Sequence, residues 1–274
     1  MADPSPVLTV SAIVTRLRAA GCVFAEDEAH LLISAAATPY DLAAMVERRA
    51  AGLPLEYVIG WAEFCGLRIA VEPGVFVPRH RTELLVRQAA ARARSGAVVV
   101  DLCCGAGALG VALAASLGRI ELHATDIDPA AVRCARLNLG AAGGHVYEGD
   151  LYQPLPADLR GRVDLLVANV PYVPTGEIAL LPREARLYEA RRALDGGGDG
   201  LDVLRRVAAE AAGWLTPGGH LLVETSAAQA PRAVEVFARG GLIPEVASFD
   251  ELEATVVMGI LDAAGSGSRG SPRH

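Results

Sequence analysis

The chain has 274 residues, with 25 basic side chains, 32 acidic ones and a formal net charge of −7. A hydrophobic fraction of 52% with 21% charged residues excludes a disordered chain and suits either one large domain or a main domain with a small companion. Every basic residue is arginine, and the acidic balance argues against non-specific nucleic-acid binding, which needs a basic stripe to neutralise phosphates. The five cysteines (Cys22, Cys65, Cys103, Cys104, Cys134) form no CxxC pair and no metal-ligand spacing, and the start MADPSPVLTV lacks the basic flank of a signal peptide. Residues 102–118 are apolar but too short and Gly-rich to span a bilayer, so a cytoplasmic protein with reduced thiols is expected.

In chain order, residues 7–50 read as three short helices. The first carries Leu8, Ile13, Val14 and Leu17 on one face and ends at Gly21; the others cover 26–37 and 39–51, with Thr38 and Asp41 as candidate N-caps. Next come the β-prone runs 57–59, 67–71 and 75–77, broken by Gly60, Gly66 and Pro73-Gly74, which predict a hairpin linking two domains. Thr82 is expected to open a helix. From Ala97 strands and helices alternate: VVVDLCC, ALGVALAASL, ELHATDID, PAAVRCARLNLG closed by Gly140, HVYEGD, VDLLVANVPY, a helix over 200–215, GHLLVET, a helix over 229–239, then PEVASFDE and ATVVMGIL. This order predicts an α/β fold with a Rossmann-like, mostly parallel sheet, an antiparallel C-terminal hairpin and a small helical N-terminal domain. The expected boundaries are 1–54 for the helical domain, 55–78 for the linker, 79–264 for the α/β domain and 265–274 for a low-complexity, disordered tail.

The strand VVVD runs into LCCGAGALG, where Gly105, Ala106 and Gly107 would form a tight strand-to-helix turn that lets backbone approach a ligand. This spacing alone is a weak signal. No phosphate-binding loop of the GxxxxGK[ST] kind exists, because the chain has no lysine. Asp101, Asp126 and Asp150 stand at the ends of three successive strands, and a carboxylate at Asp126 can accept both hydroxyls of a ribose. Any one of them reads equally well as a helix cap; the set suits an adenosine without phosphates.

After the fourth apolar strand stands Asn169-Val170-Pro171-Tyr172. With PLEYVIGWAEFCGL, VPRHRTELLV, ATDIDPAAVRCARLN, GDLY, YEARRALDGGGDGL and LTPGGHLLVET followed by Gln229, it resembles the HemK/PrmC family of protein glutamine methyltransferases over roughly residues 50–230. The resemblance implies a class I methyltransferase fold and S-adenosyl-L-methionine as cofactor. It implies transfer of a methyl group to the side-chain amide of a glutamine in a protein, a peptide chain release factor. On this reading Asn169, Val170, Pro171 and Tyr172 are catalytic. Asp101, Cys103, Gly105, Ala106, Gly107, Asp126, Ile127, Asp150, Leu151 and Asn169 hold the cofactor.

The residue types fit that chemistry. An amide nitrogen is a poor nucleophile, so transfer depends on positioning: Asn169 and the carbonyl of Val170 would each accept one N–H, and Tyr172 would wall the pocket. Departures from the family pattern are Val170 in place of a first proline, Cys103-Cys104, His80-Arg81 in place of Pro-Glu, Ala190 in place of proline, and the final strands. A carbonyl acceptor does not depend on its side chain, and Val170 still precedes proline. A working site with its own substrate range is therefore expected. Two other readings stay open here: an amino-methyltransferase acting on an exocyclic amine of a nucleic-acid base, and a non-catalytic cofactor-binding module. The cluster Arg183, Arg186, Arg191 and Arg192 is either a solvated helix face or a dock for an acidic partner.

Overall fold

The computed structural model describes residues 8–263, and the tail expected to be disordered lies outside them. Three helices come first: α1 (Val10–Ala19), α2 (Ala25–Ala35) and α3 (Pro39–Ala50). Thr9 and Thr38 cap α1 and α3 by accepting the backbone N–H of Ala12 and Asp41. Asp41 is therefore not a cap, and its carboxylate instead accepts the Ala37 N–H at 3.0 Å. Gly21, at φ +91°, ends α1 as expected, and the Cys22 N–H reaches back to the Leu17 carbonyl. Ile13, Leu17, Ala29, Leu32, Met45 and Val46 form an apolar cluster of their own. At its edge lies a buried arginine. Arg49 donates to both carboxylate oxygens of Glu28 (2.5 and 3.0 Å), to the Leu53 carbonyl (2.9 Å) and to Glu184 (2.7 Å), a residue far along the chain.

The linker holds the predicted hairpin, with the run 67–71 as one of its strands, but the other two predicted runs are not strands. Residues 57–59 belong to a helical turn, α4 (Leu55–Ile59), because Pro54 presets its entry and Gly60 closes it in the left-handed region at φ +85°. The hairpin is instead β1 (Trp61–Phe64) with β2 (Leu67–Ala70), joined by Cys65 and Gly66, both at positive φ as a two-residue primed turn demands. Residues 75–77 form no strand: the Val77 N–H is satisfied by the Glu189 carboxylate at 3.3 Å rather than by a ladder.

The rest is one seven-stranded sheet. Its strands are β3 (Val98–Leu102), β4 (Glu121–Asp126), β5 (His145–Glu148), β6 (Val163–Ala168), β7 (Leu215–Thr225), β8 (Leu242–Phe249) and β9 (Ala254–Leu261), in the order β5-β4-β3-β6-β7-β9-β8. The first five are parallel and β9 pairs antiparallel with both β7 and β8. Helices α5 (Glu83–Ala90), α6 (Ala108–Leu117) and α7 (Pro129–Leu139) cover one face with Val99, Leu165, Val167 and Leu222; α9 (Asp202–Ala211) and α10 (Ala230–Arg239) cover the other with Val98, Val100, Leu166 and Val223. A short helix, α8 (Arg183–Tyr188), lies in the β6–α9 connection.

Three boundaries differ from the sequence reading. Gly140 keeps helical φ and the chain turns at Gly143 instead (φ +69°). The helix expected over 200–215 begins at Asp202, since Gly200 sits at φ +78°, and Leu215 already belongs to β7. Thr82 ends a single 3-10 turn (His80–Thr82) without capping α5. Sheet order reverses between β3 and β6, and that reversal opens a crevice above the carboxyl ends of the strands, where open α/β sheets bind ligands.

Candidate active site

A cavity of about 580 Å3 fills this crevice, within the range of about 300–1,000 Å3 usual for small-molecule sites. One half is built from the ends of β3, β4 and β5. Cys103 and Gly105 both take positive φ (+55° and +54°), folding the loop so that Cys103, Cys104, Gly105 and Ala106 line the cavity without filling it. Gly107 faces away: a Cβ there would lie 3.1 Å from Leu139, so its role is the close packing of α6 on α7. Asp126 accepts the Gly105 N–H at 2.8 Å on one oxygen and the Asp128 N–H at 2.9 Å on the other. Each oxygen keeps a lone pair for a further donor. Burial raises its pKa, against the lowering by those two N–H groups.

Ile127, a large apolar side chain left 54% exposed, and Leu151, held at φ +49°, both line the cavity. Asp150 also lines the cavity, and its charge is met by Arg206 of α9 at 2.6 Å. Asp101 does not line it. This carboxyl is fully buried beneath the loop; one oxygen accepts the Gly110 N–H at 3.2 Å and the other has no protein partner among the described residues. Desolvation pushes its pKa up to about 8.

The other half follows β6. Asn169, Val170, Pro171 and Tyr172 all line the cavity. The Asn169 amide donates to the Thr82 hydroxyl at 3.4 Å, which leaves Oδ1 as its free acceptor. The loop is clamped from behind by Gln229, whose Nε2 donates to the carbonyls of Tyr172 (2.8 Å) and Asp199 (3.0 Å) while Oε1 accepts from the Ser226 hydroxyl (2.9 Å). A Cβ at Gly200 would stand 2.3 Å from both Gln229 Nε2 and the Tyr172 carbonyl, so only glycine lets the two loops meet. The Tyr172 hydroxyl donates to Glu224 at 3.2 Å. Farther out, the buried Glu189 pairs with Arg79 and accepts the Val77 N–H, which ties the end of the linker to the cavity roof. Of the arginine cluster, Arg191 pairs with Asp195 and Arg192 with Asp128, so part of it is already committed to acids.

Thr82, Gln229 and Glu224 were not singled out as site residues by the sequence. Thr82 lies in VPRHRTELLV, Glu224 in LTPGGHLLVET and Gln229 just after it, all segments that resemble the family, but nothing in their spacing says which loop they grip.

The donor set suits an adenosine-type cofactor with a sulfonium. Asp126 and Asp150 line its half of the cavity, the second already neutralised by Arg206, and Asp126 offers a lone pair on each oxygen to hydroxyl donors. The family model "Methyltransferase small domain" matches residues 66–206. A release factor glutamine methyltransferase of Geobacter sulfurreducens is 42% identical over 208 residues, covering 74% of this chain and 72% of that one. One of Gloeobacter violaceus is 40% identical over 226 residues, covering 79% and 78%. Among solved structures, a methyltransferase from Pyrococcus furiosus shares the fold at a TM-score of 0.54 and 17% identity, over 72% of this chain and 90% of that one. The chain therefore belongs to the release factor glutamine methyltransferase family, on a class I methyltransferase fold.

Proposed function

We propose that this protein transfers a methyl group from S-adenosyl-L-methionine to the side-chain amide nitrogen of a glutamine in a peptide chain release factor, in the cytoplasm. Asp126 would hold the ribose hydroxyls. Ile127 and Leu151 would flank the base, while Cys103, Gly105, Ala106 and Asp150 complete the wall and Asp101 supports the loop from below. Residues 79–264 carry both half-sites, with 55–78 as linker and 1–54 as a helical companion.

When bound, S-adenosylmethionine supplies a methyl group on a sulfonium, which departs as a neutral thioether. Everything else falls to the chain. Asn169 Oδ1 and the Val170 carbonyl each accept one N–H of the glutamine NH2, holding it planar so that the lone pair stands perpendicular to that plane. The same two oxygens stabilise the nitrogen as it becomes cationic and sheds its proton to water. Tyr172 walls the acceptor side. The observation that carries the reading is the anchoring of the Asn169 amide on Thr82, since it presents an acceptor oxygen and not a donor.

The test is incubation with methyl-labelled cofactor and either a release factor or duplex DNA. Label on a glutamine side chain of the release factor is expected. Label in the DNA alone, or none in either while the cofactor binds, overturns the reading.

A further inference from the structure

Glu224 lies near the end of β7, with its side chain only 2% exposed. One of its oxygens receives two donors, Arg81 Nε at 3.1 Å and the Tyr172 hydroxyl at 3.2 Å; the other has no partner among the described residues. The Arg81 guanidinium also lies over the Tyr172 ring, 5.8 Å from its centroid. A carboxylate buried with one oxygen unmet is a poor device for stability, because desolvation offsets the attraction of its partner. It is a good device for direction. The phenolic proton of Tyr172 is committed to Glu224, and the ring is gripped at its hydroxyl from below and on its face by the cation. The resemblance implies an acid at position 81, so this arginine–glutamate pairing is a feature of the chain itself.

We propose that Glu224, ordered by Arg81, is a positioning residue that fixes Tyr172 at the acceptor wall and so sets turnover without touching substrate or cofactor. Glu224 does not line the cavity, whereas Arg81 and Tyr172 do. The proposal rests on the methyltransferase reading above.

The experiment is a double-mutant cycle with Glu224→Gln and Tyr172→Phe in the full chain, measuring kcat, KM for the release factor and cofactor affinity by calorimetry. Each single variant is expected to lower kcat about tenfold, a small misplacement of the acceptor wall. Cofactor affinity should stay within about twofold, and the double variant should be no slower than the slower single. Multiplied losses, or a Glu224→Gln variant that weakens cofactor binding as much as turnover, overturn the proposal. If Glu224→Gln does not fold, Arg81→Gln takes its place in the cycle with the same expectation. Inactive wild type would instead count against the functional reading, which keeps the two failures apart.

Discussion

The two halves of the cavity are made from different materials. The cofactor half is mostly main chain: positive-φ residues, backbone N–H groups on Asp126, and a helix packed tightly through Gly107. The acceptor half is held by side chains that reach in from other elements: Thr82 on Asn169, Glu224 on the Tyr172 hydroxyl, Gln229 on the Tyr172 carbonyl. A main-chain cradle tolerates side-chain change, whereas a loop held by three distant side chains loosens when any one of them is lost. Binding and turnover should therefore separate cleanly under mutation.

The largest effect is expected at Asn169. Its replacement by alanine removes an acceptor made to the reacting nitrogen and should lower kcat by about 100- to 1,000-fold. Cofactor affinity, read by calorimetry, should stay within about twofold; an equal loss of both would erase the distinction between the halves. Next is Asp126→Ala, which should weaken cofactor binding by about 10- to 100-fold through lost charge-assisted hydrogen bonds. At saturating cofactor its kcat should approach the wild-type value.

Asp101 sharpens the comparison through pH. Its folded-state pKa of about 8 lies above its ordinary value of 3.8, so the folded protein holds a proton that the unfolded chain has released. Its contribution to stability is therefore full below about pH 4, declines as pH rises, and levels off above about pH 8. Denaturant melts of the cofactor-free protein should show that decline, and Asp101→Asn should flatten it, because a neutral amide can still accept the Gly110 N–H. The smallest effect is Cys103→Gly. It relieves a left-handed residue that costs about 1 kcal/mol and should raise the urea midpoint slightly, with a change in cofactor affinity of no more than about twofold.

The alternation of strands and helices from residue 97 onward was legible because the parallel strands are apolar runs, several of them closed by an acid, as at Asp101 and Asp126. Asn169 to Tyr172 was legible as a motif, and its place beyond the end of β6 agrees with that reading. What stayed hidden is what depends on contacts distant in sequence. Residues 57–59 look β-prone, yet Pro54 and Gly60 bracket a helical turn. Arg81 looks like a loose charge on the rim until the fold brings β7 beneath it. Asp101, read as a ligand-facing acid, packs under the loop, since residues on a strand alternate faces and the chain turns above it.

Arg49 has a mechanical consequence. One guanidinium joins α2, the Leu53 carbonyl just before the linker and, through Glu184, the ceiling of the cavity. Prising that ceiling away from the amino-terminal helices would strip a buried cation of part of its coordination, a costly event. The helical companion is thus bolted to the ceiling of the cavity by one buried side chain, so loosening α2 or α3 would also unfasten the cavity's cover.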